Sequence, residues 1–458
     1  MITRQEVLEL AGQGSLLPRV LEKDNVIGWL LAAIYTQPRL ASGLVFKGGT
    51  CLKKCFFETY RFSEDLDFTV IDEALLDEQV LTDCFQEVCA WLNEETGIQI
   101  RTEEAAFDLH PNPRGKLSCE IRLYYLGPLQ KQRGGLDRVK LDLTVDERLV
   151  DEPVVMPIGQ PYSDAPDPPA TVRCYSYEEL FAEKIRALAQ RGRPRDLYDV
   201  VSIFRRPPVP PDRVSVNRIL KEKCEYAGIP IPTFDSLQRL REEQEATWRQ
   251  MLEHQLPTLP PFREFWGALP QFFEWLEGRT EITARQVIPG AAGVSLAGEV
   301  RIPEFASQSA LNALRFGASS HLLVDLRYGG STRRIEPYSL RRTRAGQVLL
   351  HAVRADNRQH RSYRVERIQS ASITDIPFEP RYAIELTPAG PLSIPRAARP
   401  SFPVRRRPRE EGSLYVFECY RCGRQFRHRT RQSRLNPHND AYGYACSGRS
   451  GRYVETVH

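Results

Sequence analysis

The chain has 458 residues, more than one ordinary hydrophobic core accommodates, so two or three domains are expected. Apolar residues make up 41% and charged residues 27%, with a formal net charge of only +4, which is the balance of a soluble globular protein. No apolar run approaches the roughly 20 residues that span a bilayer, and the first residues lack the layout of a secretory signal. We therefore expect a cytoplasmic protein with no membrane partner.

The first 205 residues alternate between helical and strand patterns. Apolar positions recur with helical spacing from Gln5 to Arg39, with a break at residues 12–14, which predicts one or two helices. Alternating or short apolar runs predict strands at residues 44–46, 66–70 and 139–145. The segment 177–204 is predicted to be helical, apart from a break at 192–194.

A nucleotide site is predicted where the first of these strands meets a glycine pair. Gly48 and Gly49 follow the strand directly, and glycine lets backbone N–H groups approach phosphates because no side chain obstructs them. Asp65 and Asp67 lie one residue apart on the next strand, so their side chains point to the same side and can share a divalent cation. This combination is typical of a nucleoside triphosphate site.

A third carboxylate is needed for a two-metal displacement, because one cation activates the attacking hydroxyl and the other steadies the leaving group. Asp142, inside the alternating strand at 139–145, is the natural candidate. A lone aspartate at a strand edge is the alternative interpretation.

These motifs, taken in order, resemble the AbiEii/AbiGii toxin nucleotidyltransferases, a branch of the DNA polymerase β-like superfamily. The resemblance covers roughly residues 15–205. The matching stretches are Lys47–Thr50 with Asp65 and Asp67, Lys140–Asp142, Glu179–Lys184, and Arg195–Asp199. Each stretch alone would be weak evidence, but their order is specific.

The resemblance implies a role for each matching residue. Asp65 and Asp67 would hold Mg²⁺ or Mn²⁺, with Asp142 as the candidate third ligand, and Lys184 and Asp199 would complete the catalytic set from later helices. Lys184 would face the triphosphate, while Asp199 would orient that lysine or the acceptor. The residues implied to line the nucleotide pocket are Lys47, Gly48, Gly49, Thr50 and Ser63.

Two of these assignments have simpler alternatives. The pairs Glu183–Lys184 and Arg195–Asp196 are also what surface ion pairing on helices looks like. Asp196 ranks below Asp199 as a catalytic candidate because it can serve as a structural partner of Arg195.

Downstream, proline clusters at 207–211 and 257–261 mark loops. An aromatic stripe with helical spacing is more typical of a core than of a base-stacking surface. Its members are Phe262, Phe265, Trp266, Phe272, Phe273 and Trp275. A β-rich module is predicted at 318–376, and residues 391–408 are predicted to be a linker.

The β-rich module resembles a WYL domain, a small Sm-like module, in the stretches 324–328, 334–340 and 363–368. The namesake triplet is replaced by Val348–Leu350. The resemblance implies a basic surface that binds nucleic acid or a nucleotide. The candidate ligand-binding residues are Tyr338, Arg341, Arg364 and Arg367. Tyr338 would stack a base, or it would instead cap the core of the barrel.

The last 50 or so residues contain a pattern of cysteines and histidines that suits a structural Zn²⁺. The favoured ligands are Cys419, Cys422, His438 and Cys446, with His428 as the competitor of His438. A reduced, metal-free tail is the alternative. Arginines outnumber acidic residues severalfold in 327–367 and 404–434, which favours contact with phosphate backbones over a merely solvated surface.

The other cysteines lie in apolar or helical contexts and are expected to act as small hydrophobic residues. They are Cys51, Cys55, Cys84, Cys89, Cys119, Cys174 and Cys224.

We thus predict an α+β protein with a polymerase β-like nucleotidyltransferase core, a helical extension, a WYL-like β-rich domain and a zinc-ribbon-like tail. The predicted segments are 1–206, 207–317, 318–390, a linker at 391–410, and 411–458. The implied activity transfers NMP from an NTP to an acceptor, most simply the 3′ end of tRNA, in antiphage defence under a cognate antitoxin. The alternatives are a catalytically silent nucleic-acid-binding regulator and a transferase that modifies protein.

Overall fold

A computed structural model gives the structure of the chain. It describes residues 1–14, 16–57, 61–112, 115–130, 136–205, 211–280, 286, 288–291, 307–343, 345–386, 414–428, 433–439 and 445–457. The predicted linker at 391–410, and all but the last residue of the proline cluster at 207–211, lie outside these ranges.

The first part of the chain forms an eight-stranded mixed sheet. Its strands are β1 (Leu44–Lys47), β2 (Asp65–Val70), β3 (Gln99–Ile100), β4 (Ala106–Pro111), β5 (Leu117–Leu126), β6 (Asp137–Thr144), β7 (Val154–Pro157) and β8 (Thr171–Cys174). The order is β3-β5-β6-β2-β1-β8-β7, and β4 also pairs with β5. The pairs β2/β6 and β1/β8 are parallel, and the remaining pairs are antiparallel.

Helices surround this sheet and continue beyond it. They are α1 (Arg4–Gly14), α2 (Pro18–Thr36), α3 (Pro38–Gly43), α4 (Gly48–Cys51), α5 (Glu78–Thr96), α6 (Tyr177–Arg191), α7 (Pro194–Arg205), α8 (Arg213–Ala227), α9 (Phe234–Leu237), α10 (Arg241–Leu252), α11 (Phe262–Trp266) and α12 (Leu269–Leu276). A π-helical segment, Leu52–Phe56, prolongs α4. The break predicted at 192–194 is confirmed, because α6 ends at Arg191 and Pro194 begins α7, where its missing N–H costs nothing.

The sheet has one apolar face and one polar face. On β6, Val139, Leu141 and Leu143 are fully buried and pack into one core with α2 and α5. Lys140 and Asp142 alternate with them and are partly exposed on the other face. The aromatic stripe of α11 and α12 is buried in the same core, as predicted. The polar face is where the candidate catalytic residues lie.

Two smaller β units follow. Helix α13 (Ser307–Ser319) packs on an antiparallel sheet of order β12-β11-β10-β9-β13, which has its own core. Its strands are β9 (Leu322–Tyr328), β10 (Ser331–Arg342), β11 (Val348–Arg354), β12 (His360–Arg364) and β13 (Ile368–Pro377). The tail contains β14 (Leu414–Cys419), β15 (Gln425–His428), β16 (His438–Asn439), β17 (Ala445–Cys446) and β18 (Gly451–Val457).

The architecture confirms the predicted α+β class, with a mixed sheet and helices followed by β-rich units. Within the described residues, every helix is too short or too polar to cross a membrane.

Candidate active site

Three of the predicted site residues lie in one row across the sheet. Lys47 on β1 pairs in register with Asp67 on β2, and Asp67 pairs with Asp142 on β6. Directly paired residues project to the same face of a sheet, so the row brings one cation and two carboxylates together. Glu120 on β5 extends the row beyond Asp142. Asp65 lies two residues before Asp67 and therefore shares this face.

The aspartates of this face influence one another electrostatically. Burial raises the pKa of Asp67, and the negative charges of Asp142 and Asp65 raise it further, while Lys47 and Lys184 act in the opposite direction. The pKa of Asp65 is also raised, first by burial and then by Asp142. Crowded, partly desolvated carboxylates of this kind fit a divalent cation, which would offset their repulsion.

The three aspartates do not form a closed ligand set. Among the described residues, the groups of three or more candidate ligands whose atoms all lie within 4.8 Å of one another do not include them. The carboxylates are thus neighbours on one face of the sheet.

The glycine pair is required by close packing against the site. Gly48 has φ +83°, and a Cβ built on it would lie 2.1 Å from Oδ2 of Asp67. A Cβ on Gly49 would lie 2.7 Å from the guanidinium of Arg61 and 3.3 Å from Oγ of Ser63. Only glycine fits at these positions, so the backbone of the turn approaches the carboxylates directly.

The two predicted hydroxyl residues differ in their surroundings. Ser63 is half-buried beside Gly49. Thr50 is buried, and its hydroxyl donates to the carbonyl oxygen of Asp65. Thr50 therefore connects the glycine turn to the first residue of β2.

Lys47 is buried and already has partners. Its Nζ forms an ion pair with Glu147 and donates to Oγ1 of Thr144 at 3.0 Å. Sequence reasoning missed Glu147, which follows β6 in a loop and carries no motif of its own.

Lys184 and Asp199 form a buried pair, 2.8 Å apart, between α6 and α7. Arg61 donates two hydrogen bonds to the same aspartate, both of 2.7 Å, and a third of 3.0 Å to Gln255. Burial alone would raise the pKa of Asp199, but the charges of Arg61 and Lys184 outweigh it and hold that pKa below its ordinary value. Surface ion pairing, the alternative considered for Lys184, is therefore wrong.

Arg61 was not assigned a role from the sequence, although it stands immediately before the Phe62–Asp65 stretch of the motif. Asp196 also differs from expectation, because its partner is Arg191, with two hydrogen bonds of 2.8 Å, and not Arg195. Arg195 instead lies near Asp65, where its positive charge opposes the rise in the pKa of that carboxyl.

The tail contains a candidate metal centre. The ligand atoms of Cys419, Cys422, His438 and Cys446 all lie within 4.8 Å of one another. Nδ1 of His438 is 2.8 Å from the carbonyl oxygen of Asn436, which leaves Nε2, 3.3 Å from Sγ of Cys422, free to bind a metal. The backbone N–H groups of Arg421 and Gly448 donate to the sulfurs of Cys419 and Cys446. This donor set suits a tetrahedral metal ion.

His428, the competing ligand, lies elsewhere. Its ring packs edge-on against Phe417, and burial lowers its pKa. A second cluster was not foreseen: the sulfurs of Cys51, Cys55 and Cys174 are buried and lie within 4.8 Å of one another behind the glycine turn.

The candidate ligand-binding residues of the β-rich unit are not equivalent. Tyr338 is fully buried, and its hydroxyl donates to Oε2 of Glu336 at 2.6 Å. Its ring contacts Phe378 and Tyr382, so it is part of the core and has no free face for a base. The alternative, that Tyr338 caps the core, describes the structure.

The three arginines remain outside that core. Arg341 forms an ion pair with Glu385, Arg364 is half-buried and Arg367 is exposed. Arg341 and Arg364 both pair with Leu349 in the strand register and so share a face of the sheet.

The chain matches the model of a known protein family. A family model described as "Nucleotidyl transferase AbiEii toxin, Type IV TA system" matches residues 29–277, more than half of the chain. Among solved structures, the nucleotidyltransferase toxin MenT4 from Mycobacterium tuberculosis is similar at 20% identity and a TM-score of 0.35, over 60% of this chain and 87% of that chain. Proteasome accessory factor B/C of Arthrobacter aurescens is similar at 15% identity and a TM-score of 0.17, over 80% of this chain and 74% of that chain. No curated protein sequence matches the chain.

Proposed function

Because the chain belongs to the AbiEii family of nucleotidyl transferase toxins of type IV toxin–antitoxin systems, we propose that it is a metal-dependent toxin that transfers a nucleoside monophosphate from an NTP to the 3′ end of tRNA. Family membership makes the chain a nucleotidyltransferase with an NTP substrate and an antitoxin partner. The observation that supports a catalytically competent site is the row of Lys47, Asp67 and Asp142 beside Gly48.

In this proposal Asp65, Asp67 and Asp142 hold Mg²⁺ or Mn²⁺. The bound ion supplies charge stabilisation for the leaving group and a lower pKa for the attacking hydroxyl. Lys47 and Lys184 offer positive charge to the triphosphate, and both already act on the pKa of Asp67. Asp199 positions Lys184 through their ion pair, and Arg61 in turn holds Asp199. A buried lysine paired with an immobilised carboxylate has few alternative positions.

The downstream units are proposed to recognise nucleic acid. In the WYL-like segment, 318–390, Arg341, Arg364 and Arg367 are the candidates for phosphate contact. In the tail, 411–458, the four-ligand centre is proposed to hold Zn²⁺, which would fold a segment with little apolar surface. A role in antiphage defence, in the cytoplasm, completes the proposal.

The test is incubation of the protein with each labelled NTP, total tRNA and Mg²⁺. Label should enter tRNA, and Asp65→Ala should reduce the rate on the order of 10³-fold or more, because the lost carboxylate is a metal ligand. Glu245→Gln, at an exposed position of α10, is the matched control and should leave the rate unchanged.

The site of labelling separates the alternatives. Label in protein instead of RNA would favour a transferase that modifies protein. No label with any NTP would favour a silent regulator, and labelling that survives Asp65→Ala would refute the proposed site.

A further inference from the structure

One carboxylate oxygen of Glu147 contacts three donor groups. Its Oε2 pairs with Nζ of Lys47 and accepts hydrogen bonds from Oγ1 of Thr69 at 3.1 Å and from the hydroxyl of Tyr175 at 3.2 Å. Glu147 lies three residues after the end of β6, and its side chain is 23% exposed. Glu147 lies outside every sequence motif, yet it contacts Lys47, the first residue of the row formed by Lys47, Asp67 and Asp142.

The groups around Glu147 are themselves fixed. Oγ1 of Thr69 and the hydroxyl of Tyr175 are 2.6 Å apart, and Tyr175 is fully buried. Thr144 accepts from Lys47 at 3.0 Å and donates to the carbonyl oxygen of Phe68 at 3.2 Å. Thr69 and Thr144 are partners in the β2/β6 register. The carboxylate of Glu147 and the ammonium of Lys47 are therefore bound to the same two strands that carry Asp67 and Asp142.

Lys47 therefore has two carboxylates as neighbours. Its ammonium is paired with Glu147, and Asp67 is its partner in the register of β1 and β2. Without Glu147, the ammonium of this flexible side chain can settle on Asp67, where it competes with a cation for the same oxygens.

We propose that Glu147 is a positioning residue that holds the ammonium of Lys47 away from the metal-binding oxygens of Asp67 and toward the phosphate pocket. This inference rests on the proposed function. It predicts that Glu147 sets the affinity of the site for a divalent cation, although it does not touch the cation itself.

The test is Glu147→Gln, measured by titration with Mn²⁺ in the absence of nucleotide. The amide oxygen can still accept from Thr69 and Tyr175, but the charge opposite Lys47 is lost. We expect the Mn²⁺ affinity to fall about tenfold or more, as for other residues that orient a metal site, and the Mg²⁺ concentration for half-maximal transfer to rise in parallel. Mn²⁺ that still binds to Asp67→Asn defines the background to subtract.

A double-mutant cycle shows whether Glu147 acts through Lys47. In a Lys47→Met background, Glu147→Gln should change Mn²⁺ affinity little, because the competing ammonium is gone. Glu152→Gln, an exposed acidic residue in the same loop, is the matched control and should bind Mn²⁺ like the wild type. A merely structural role would lower the melting temperature equally in both backgrounds without changing metal affinity.

The outcomes are distinct. Folded Glu147→Gln with wild-type Mn²⁺ affinity overturns this inference and leaves the proposed function intact. Wild-type protein that neither binds Mn²⁺ at Asp67 nor transfers NMP refutes the proposed function itself. Should Glu147→Gln not fold, Tyr175→Phe removes one support of the carboxylate and is expected to weaken Mn²⁺ binding in the same direction, and unchanged binding would overturn the inference.

Discussion

At the scale of single residues, the catalytic half is organised by buried charges that are paired. Arg61, Asp199 and Lys184 form one such group, and Lys54 with Asp24 forms another, 2.8 Å apart and almost completely buried. Removing one member of a buried pair leaves the other charge desolvated and unpaired, which commonly costs about 3–5 kcal/mol. The first group joins α6 and α7 to the segment before β2, and the second joins α2 to the π-helical segment that prolongs α4.

Gly48→Ala should abolish transfer and lower stability. The new methyl group would collide with Asp67, and the positive φ adds backbone strain, together of order 1–3 kcal/mol. Urea unfolding and the labelled-NTP assay measure the two effects. Gly97→Ala is the matched control, because its φ is +78° but nothing lies within 4 Å of the added Cβ. It should lose stability and keep its activity, and equal activity in Gly48→Ala would contradict the packing argument.

The ion pairs of Glu183 make the stability of the protein depend on pH. Burial alone would raise its pKa, but the charges of Lys223 and Arg186 outweigh this and lower the pKa to about 2. A depressed pKa means that the carboxylate stabilises the fold fully above its ordinary value of 4.5 and loses this contribution as the pH falls toward about 2.

The stability difference between wild type and Glu183→Gln should therefore be largest near about pH 7 and shrink below about pH 4.5. Urea unfolding of both proteins across this range measures it. A difference that stays constant with pH would show that the ion pairs of Glu183 do not stabilise the fold.

At the scale of elements, the sequence predicted the strands that carry the motifs but not their neighbours. β1, β2 and β6 were predicted to within two residues, because each alternates or leads directly into a glycine pair. No expectation covered β5 or β8, so the pairing of Glu120 with Asp142 and the cluster of Cys51, Cys55 and Cys174 were missed. Strand pairing joins distant segments, and periodicity reports only on local structure.

The same limit applies to side-chain partners. Asp142 could be chosen from its strand, but Glu147 and Arg61 could not be assigned roles, because their partners lie far away in the sequence. Tyr338 shows the reverse error. An aromatic residue among arginines suggested a binding surface, whereas its ring lies inside the core of the β-rich unit.

The tail makes a prediction about metal removal. Chelation, or Cys422→Ser, should release about one zinc ion per chain and unfold residues 414–457, because these few apolar residues cannot stabilise the segment alone. The transferase core is a separate cluster and should keep its unfolding transition. Zinc content and limited proteolysis measure the outcome, with Cys89→Ser as the control cysteine outside both sulfur clusters. Retention of a full zinc equivalent in Cys422→Ser would refute the assigned ligands.

At the scale of the whole molecule, the parts are not independent. Phe316 and Leu322 belong to the core of the transferase half, although both follow the family match. The tail also touches α5, where the side chain of Asn436 donates to the carbonyl oxygen of Glu95 at 3.0 Å. The same Asn436 orients His438 through its own carbonyl, so one residue joins the metal centre to the catalytic half.

A fragment of residues 1–280 should fold, since nearly all of its core lies within it, but with lower stability than the full chain. Loss of Phe316 and Leu322 exposes their partners and costs roughly 1.5–3 kcal/mol for each buried side chain. We expect Mn²⁺ binding to persist and transfer to tRNA to weaken, because the proposed RNA-binding units are absent. Circular dichroism, metal titration and tRNA labelling test this in turn. Undiminished transfer to tRNA would show that the downstream units do not recognise the acceptor.

The way the site is assembled also bears on how such a toxin is made. The row of Lys47 and Asp67 is complete only after Asp142 has been synthesised. Arg61 gains its partners only after Asp199 and Gln255 have been synthesised. A ribosome builds the chain from its N terminus, so a nascent polypeptide lacks a complete set of these residues until Gln255 has been synthesised. Messenger RNAs truncated before that codon should therefore yield inactive polypeptides. The time needed for translation also delays the onset of toxicity.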